Sequence, residues 1–571
     1  MIPKVRGALP SLNNLVALLV GILSGSQLQF DGIKLSMMLR ALKPVSNIRE
    51  YFLCLDYRSL GLLRILLGLL LLHSWFERFA DLQVFYSPHG ILPPWAVADL
   101  DPGNKLYFTD WFKSTAQIEV FFYVGLVFYF AFTLGFKTRF SHICSILFYI
   151  VQTSQCAILK SGGQRALGIF LLWSLFLPMS RRFSLDCRFH SKPEQVLCAP
   201  SLAAFFVVFQ IALIYFLSAF SKLGPSWLEG TAVYYTLESD SIIKPLGVFF
   251  REHLAYLEKP LDYCTLVLEW AAAPCILSPF FQPRLRHLIV LCLVLFHLGI
   301  WLTINVCDFS LVMISSYVLL LRPDDWQEIE NLFLHVTRVL GNSSSAYERS
   351  TGSAATEVEQ AAPNLSCPGW RTKVANASAV FLLFLTLTDA AYFSLGAETD
   401  STSFVIPPWI SRTCQYLSIG QDWRLFAPDA NPEDGWYVVV GFTRSGEVID
   451  PLTGKLPNPA KSDTANREMY KTCNWRKYTH YLHRPVMQKA ARAFCHYLKR
   501  RSRRKDKPGD RLVGIKLYYI SELTPPPGTP RPFPTQVELI YCDPPKTVER
   551  LYPPLDDRID EQERDSAQDE S

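Results

Sequence analysis

Long apolar stretches separated by short polar segments dominate the chain as far as residue 397. A helix of about 20 apolar residues is long enough to cross the ~30 Å hydrocarbon core of a bilayer. Eight stretches of roughly this length lie at 59–76, 116–135, 141–160, 164–180, 202–221, 262–281, 286–307 and 376–397. A shorter apolar run at 309–321 is a ninth candidate, which would need flanking residues or a thinned bilayer to cross. The pattern predicts an all-α membrane bundle of eight or nine transmembrane helices.

Beyond residue 397 the pattern is that of a small water-soluble domain. The segments 436–442 and 447–449 alternate apolar and polar residues around a short turn, which predicts a β-hairpin. Two further strands are predicted at 512–520 and 536–541. Between them, 467–482 and 486–501 carry apolar residues at helical spacing. We therefore expect an extramembrane α+β domain.

These patterns divide the chain into six parts. They are an N-terminal segment with a signal-like or anchor run (1–50), the main transmembrane domain (51–330), a flexible loop (331–375), the last transmembrane helix (376–397), the α+β domain (398–550) and an acidic disordered tail (551–571). The N-terminal run is preceded by Lys4 and Arg6, as in a signal peptide. Its cleavage would leave the new N-terminus outside, against the loop charges, so we expect it to be retained.

Composition supports a membrane protein and argues against several other classes. Hydrophobic residues make up 50% of the 571 residues and charged residues only 19%. The net charge of +5 is small for this length, so we expect no nucleic-acid partner. The 14 cysteines include no CxxC pair, and we therefore expect no metal site.

The basic residues of the loops predict the orientation of the bundle. With Ser59 on the cytoplasmic side, alternate loops contain the following basic residues: Lys137, Arg139, Arg181, Arg182, Arg188, Lys192, Arg284, Arg286 and Arg322. This is a positive-inside pattern. Nine crossings would place the α+β domain on the lumenal or extracellular side. There, we expect at least one disulfide among its cysteines, which are Cys414, Cys473, Cys495 and Cys542.

The first candidate for chemistry is Lys222, at the end of the otherwise uncharged stretch 202–221. Tyr215 and Ser218 share its helix face, since they precede it by seven and four residues. A lysine kept out of water loses its proton more readily and can act as a general base. Alternatively, Lys222 extends to the outer interface as an anchor, with Trp227 as its aromatic-belt companion.

Four more ionisable residues lie within the apolar stretches. They are Arg64 and His73 in the first, Glu269 in the sixth and His297 in the seventh. Such residues are costly in a bilayer unless they face a partner or a water-filled cavity. Each also has a structural interpretation. The two histidines could be hydrogen-bonded core residues, and Glu269 and Arg64 could form an ion pair. Together they favour a polar site inside the membrane.

The segment 210–230 resembles the one that contains the catalytic lysine of the vitamin K-dependent gamma-glutamyl carboxylases. The matching residues are Lys222-Leu223, Trp227 and Glu229-Gly230. The similarity continues in order through Leu134-Gly135, Arg139, 183–186, Phe296-His297, 309–313 and Asp325-Trp326. It covers about residues 50–330, the horizontally transferred transmembrane (HTTM) domain. The motifs at 85–93 and 423–428 are more similar to bacterial-type members of that family.

The resemblance implies a reduced, vitamin K-like quinone as cofactor and membrane lipid as a partner. In the carboxylases, the lysine deprotonates the hydroquinone, and oxygen then produces a base strong enough to remove a glutamate proton before CO2 adds. Lys222 corresponds to that lysine. One departure concerns Gly162-Gly163-Gln164, which stands where those enzymes have an Asn-His pair. The α+β domain is also smaller than their propeptide-binding region, which argues against a tethered protein substrate.

We therefore predict a quinone-linked, hydroquinone-oxidising or carboxylase-like membrane enzyme. Lys222 and His297 are its predicted catalytic residues, and the residues expected to line or support the site are Glu269, Tyr215, Arg64, His73 and Trp227. The alternative is a non-enzymatic binder or transporter of a lipid or small molecule that uses the same cavity.

Overall fold

The computed structural model describes residues 48–97, 111–154, 159–189, 201–339, 370–395, 406–461, 469, 472–502, 508–530 and 536–543. The helices of the membrane region are α1 Ile48–Leu53, α2 Tyr57–Ala80, α3 Pro94–Val97, α4 Thr115–Leu134, α5 Thr138–Thr153, α6 Gly162–Ser174, α7 Leu185–Phe189, α8 Leu202–Ser221, α9 Pro225–Glu229, α10 Ala232–Glu238, α11 Pro245–His253, α12 Glu258–Leu277, α13 Arg284–Thr303, α14 Phe309–Ser316, α15 Pro323–Val339 and α16 Trp370–Leu395. The predicted N-terminal run and the acidic tail lie outside the described residues.

Among the described helices, five are long and apolar enough to cross a membrane. They are Tyr51–Ala80, Thr115–Leu134, Leu202–Ser221, Arg284–Thr303 and Lys373–Ser394. The other four predicted spans also coincide with helices. However, α5, α6 and α14 are shorter than a bilayer crossing, and α12 carries Asp262 and Glu269. The membrane bundle is therefore confirmed, while the count of eight or nine crossings stays a prediction.

Helices occupy both ends of the segment predicted as a flexible loop at 331–375. Helix α15 continues to Val339, and α16 begins at Trp370. Residues 340–369 lie outside the described part of the chain. The apolar pattern predicts no element over 225–253, where the structure forms the short helices α9, α10 and α11. Short helices are difficult to predict because packing, more than apolar periodicity, stabilises them.

Buried polar side chains hold together one end of the bundle. The Arg64 guanidinium donates hydrogen bonds to the carbonyls of Met179, at 3.0 Å, and of Phe183. The left-handed Gly135 (φ 70°) ends α4 beside it, and a Cβ atom there would lie 2.5 Å from Arg64 Nη1. The Asp186 carboxylate accepts the Thr138 N–H at 2.7 Å at the start of α5. Gly135 and Asp186, which belong to the sequence motifs described above, therefore have a structural role in this network.

The C-terminal domain contains the predicted antiparallel sheet. Its helices are α17 Pro408–Leu417, α18 Cys473–Leu482 and α19 Gln488–Ser502, and its strands are β1 Glu433–Thr443, β2 Val448–Ile449, β3 Leu512–Leu523 and β4 Gln536–Asp543. The strand order is β2-β1-β3-β4, and all pairs are antiparallel. The apolar side chains of α19 pack on β3. The predicted hairpin and both further strands are confirmed.

The domain is attached to the other end of the bundle. Cys473 at the start of α18 forms a disulfide with Cys307, which precedes α14. The Thr472 hydroxyl donates to the Asp81 carboxylate at 2.6 Å, and the Phe85 ring packs edge-on against Trp475 at 5.2 Å. The sequence predicts at least one disulfide among the four domain cysteines; Cys473 is disulfide-bonded, but its partner, Cys307, lies outside the domain. Cys414 and Cys495 are free and buried.

Candidate functional site: a cavity between the bundle and the C-terminal domain

Lys222 and Glu269 form a buried ion pair. The Lys222 Nζ atom lies 2.8 Å from Oε2 and 3.0 Å from Oε1 of Glu269, and it also donates to the Ser218 hydroxyl at 2.5 Å. The relative exposure of Lys222 is 3% and that of Glu269 is 5%. Lys222 therefore does not extend to the surface as an anchor. The cation paired with Glu269 is therefore Lys222 and not Arg64.

The local sequence explains how this pair forms. Lys222 is the residue at which α8 ends, one turn after Ser218, so both side chains lie on the face that packs against α12. Ser218 also donates to Glu269 Oε1 at 3.2 Å, which links the two helices a second time. Two buried charges are tolerated in an apolar bundle only when they are paired and hydrogen-bonded in this way.

A second polar cluster surrounds His297 of α13. Its Nε2 atom shares a hydrogen bond with the Tyr215 hydroxyl at 2.7 Å, and its Nδ1 atom lies 3.4 Å from the Ser310 hydroxyl. The Tyr215 hydroxyl in turn contacts the Tyr317 hydroxyl. Tyr215 stands one turn before Ser218 on α8, so the two clusters share one helix face.

Trp227 is held by the motif at 423–428. Its ring faces the Lys222 ammonium, with Nζ 5.2 Å from the ring centroid, and its Nε1–H donates to the Phe426 carbonyl at 2.7 Å. Close by, the Asp429 carboxylate accepts the backbone N–H of Ser226 at 2.7 Å. The segment after Lys222 is therefore bound to the linker that leads into the C-terminal domain.

A cavity of about 720 Å³ brings these groups together. On the bundle side it is lined by Tyr215, Ser218, Lys222, Trp227, Glu269 and His297. On the side of the C-terminal domain it is lined by Arg476, Lys477, His480, His483 and Arg484. Five of the seven predicted site residues thus share one cavity. Its volume is within the range of small-molecule pockets.

The other two predicted residues lie elsewhere. Arg64 does not line the cavity, because its guanidinium binds carbonyls at the far end of the bundle. His73 is half-exposed and lies 3.1 Å from the Asp308 carboxylate. Glu77, one turn after His73, completes a group whose possible metal-ligating atoms all lie within 4.8 Å of one another. Sequence inspection missed this group because Asp308 is distant in the chain.

The residues contributed by the C-terminal domain were also missed. Their helical spacing was the signal by which the sequence could have revealed them. They are Arg476, Lys477, His480, His483 and Arg484. We call these five residues the basic face. Burial and the neighbouring Arg476 and Arg165 charges lower the pKa of Lys477 to about 8. Desolvation in the cavity wall, together with the Lys477 charge, lowers the pKa of His480 to about 4, so this imidazole is neutral at pH 7.

Gly162, the first residue of the segment Gly162-Gly163-Gln164, lines the cavity. The Leu425 side chain occupies this position, since a Cβ atom on Gly162 would lie 3.2 Å from its Cδ2. Gln164 faces away, because it forms a capping box with Ser161 at the start of α6. This part of the wall therefore contributes no titratable side chain.

The apolar helices and the polar cavity between them define a multi-pass integral membrane protein. The family model described as the HTTM domain matches residues 52–326. Residues 52–326 of this chain are therefore an HTTM domain. No curated protein and no solved structure matches the chain.

Proposed function

We propose that this protein is a membrane-embedded, quinone-linked enzyme in which the Lys222–Glu269 pair takes a proton from a reduced quinone. The observation that carries the proposal is this ion pair, buried in the wall of a large cavity. An ionisable pair at that depth is costly to maintain unless it has a function. The resemblance of residues 210–230 to the catalytic segment of the carboxylases supports the same role.

The pair can accept one proton as a unit. When the Lys222 proton moves to Glu269, a neutral amine faces a neutral carboxylic acid, and the amine can take the proton of a phenolic hydroxyl. The resulting ammonium then stabilises the hydroquinone anion electrostatically. Oxygen is the co-reactant, and the balanced overall change is hydroquinone plus O2 to quinone epoxide plus water.

The surroundings of the pair suit a quinone ring. Trp227 supplies an aromatic surface beside Lys222, and Ile214 and Phe296 are among the apolar residues that line the cavity. The hydrogen-bonded Tyr215 and His297 provide a second polar wall. A ring held between the two walls would have a base on one side and a hydrogen-bonding partner on the other.

We also propose that the C-terminal domain lies on the lumenal or extracellular side. The Cys307–Cys473 disulfide supports this orientation, because disulfides persist in oxidising compartments. The charges of the alternate loops favour the same orientation. The wall of the cavity that the C-terminal domain forms would then lie on the lumenal or extracellular side.

The test measures epoxide formation by mass spectrometry, with a reduced naphthoquinone and oxygen supplied to purified protein. Lys222→Arg keeps the charge but cannot become a neutral base, so we expect loss of turnover with protein yield retained. Lys499→Arg is the matched control, since Lys499 pairs with Asp543 outside the cavity. Full activity of Lys222→Arg, or no epoxide from the unaltered protein, would refute the proposal.

The second candidate function is a non-enzymatic binder of a lipid or small molecule. The observation that favours it is Gly162, which leaves the cavity without the Asn-His pair of the carboxylases. Mass spectrometry of organic extracts of the purified protein would distinguish the two. A co-purifying quinone favours the enzyme, and a co-purifying lipid without turnover favours the binder.

A further inference from the structure

Unpaired basic residues line the domain side of the cavity. Among the described residues, neither Lys477 nor Arg484 has a carboxylate or carbonyl acceptor for its side chain, and Arg484 lies only over the Tyr481 ring. Arg476 also lines the cavity, and its guanidinium donates to the Asn305 carbonyl. The permanently charged Arg476 and Arg484 and the partly protonated Lys477 therefore lie in one wall of the cavity. Such an arrangement attracts an anion.

The acidic residues of the same cavity do not neutralise these cations. Glu269 is paired with Lys222, and Asp429 accepts the Ser226 N–H. Asp434 accepts the N–H of Asp240 at 2.9 Å and lies 3.7 Å from Lys461. The remaining carboxylate, Glu433, is half-exposed and 3.9 Å from His483. Outside the cavity lining, Glu77 and Asp308 act electrostatically on Arg476, so the charges of Lys477 and Arg484 are the ones available to a ligand.

The cavity also reaches the lipid-facing surface of the bundle. Leu261 of α12 and Leu295 of α13 both line it, yet they are 40% and 59% exposed. Gly299, one turn after Leu295, lines it too, and a Cβ atom there would have no neighbour within 4 Å. Since α13 is long and apolar enough to span a membrane, we expect this opening to face acyl chains.

We propose that the cavity binds a lipid-type amphiphile, with its anionic head group on the basic face and its chain at the opening between α12 and α13. The inference deepens the second candidate function by specifying the head-group charge and the route of entry, and it requires neither hydroquinone oxidation nor a neutral Lys222. A basic pocket beside a membrane helix is a common design for binding phosphate head groups. The lateral opening favours a ligand that arrives from the bilayer over a soluble acidic peptide.

The test uses full-length protein in nonionic detergent and native mass spectrometry. The probes are lysophosphatidic acid and lysophosphatidylcholine with the same chain, which differ in head-group charge. We expect the anionic probe to bind about tenfold more tightly. Lys477→Gln with Arg484→Gln should abolish this preference, whereas the exposed pair Lys455→Gln with Arg501→Gln should retain it.

A second variant tests whether the acyl chain of the ligand binds at the opening between α12 and α13. Gly299→Leu should weaken binding of an 18-carbon probe roughly tenfold and leave that of inorganic phosphate unchanged, because only the opening is filled. If the double variant does not fold, increasing salt should selectively weaken binding of the anionic probe to the unaltered protein. Equal binding of both probes would overturn the proposal. It would also be overturned if a soluble poly-glutamate peptide displaced the anionic probe and Gly299→Leu had no effect on binding.

Discussion

The side chains of Lys222 and Glu269, which are 47 residues apart on two packed helices, form a bidentate contact at 2.8 and 3.0 Å. Neither charge has significant access to solvent. Each charge therefore depends on the other for electrostatic compensation. This mutual dependence determines how the protein should respond to substitution.

Removing one partner should destabilise the protein more than removing both. Lys222→Met or Glu269→Met leaves an uncompensated buried group, which typically costs about 3–5 kcal/mol. Lys222→Met with Glu269→Met replaces the pair by apolar groups and should recover most of that loss. Thermal unfolding in detergent measures all three variants. Additive losses in the double variant would show that the pair is not coupled.

The disulfide should join two halves of the chain. A protease site inserted near Ser353 would separate Cys307 from Cys473, so the cleaved protein should remain one band until reductant is added. Cys307→Ser should separate the fragments without reductant and cost roughly 2–5 kcal/mol of unfolding free energy. Cys414→Ser and Cys495→Ser are controls, since both thiols are free. Separation of the unaltered, unreduced protein would contradict the disulfide.

Two glycines should respond in opposite directions to the same substitution. A Cβ atom on Gly224 would lie 2.4 Å from the Asp429 carboxylate, which accepts the Ser226 N–H. Gly224→Ala should therefore cost about 1–3 kcal/mol, through overpacking and loss of that hydrogen bond. Gly299→Ala meets open space within a helix and should be neutral or stabilising by up to about 1 kcal/mol. Melting temperatures of the two variants provide the comparison, and equal shifts would be inconsistent with the packing at Gly224.

The charge of Lys477 should make stability depend on pH in the alkaline range. Its pKa is about 8 in the folded protein, against an ordinary value of 10.5, because of burial and the nearby Arg476 and Arg165 charges. Between these two values the unfolded chain binds more protons, so stability should rise as the pH increases through this window. The neighbouring His480 is already neutral there.

Lys477→Gln should remove this dependence and raise the melting temperature at pH 7. Scans of the melting temperature from pH 7 to about 10 measure the effect. The matched control is Lys455→Gln, which alters an exposed lysine outside the cavity. A pH profile that is the same in the two variants would assign the dependence to another group.

Local patterns were sufficient for the secondary structure and much of the membrane assignment. The length of the apolar stretches predicted helices such as Thr115–Leu134 and Arg284–Thr303, because a bilayer imposes both length and composition on any helix that crosses it. Alternation around 444–446 likewise predicted the pairing of β1 with β2. The ionisable residues in the apolar stretches were individually visible for the same reason, since each is costly there.

The partners of those residues were decided only by tertiary structure. Sequence alone allowed Glu269 to pair with Arg64, whereas helix packing gives it Lys222 and directs Arg64 to carbonyls at the other end of the bundle. The basic face and the Cys307–Cys473 disulfide depend on the docking of a domain that follows much later in the chain. Periodicity identifies which face of a helix a residue occupies, but contacts between distant segments arise from packing, which no local pattern records.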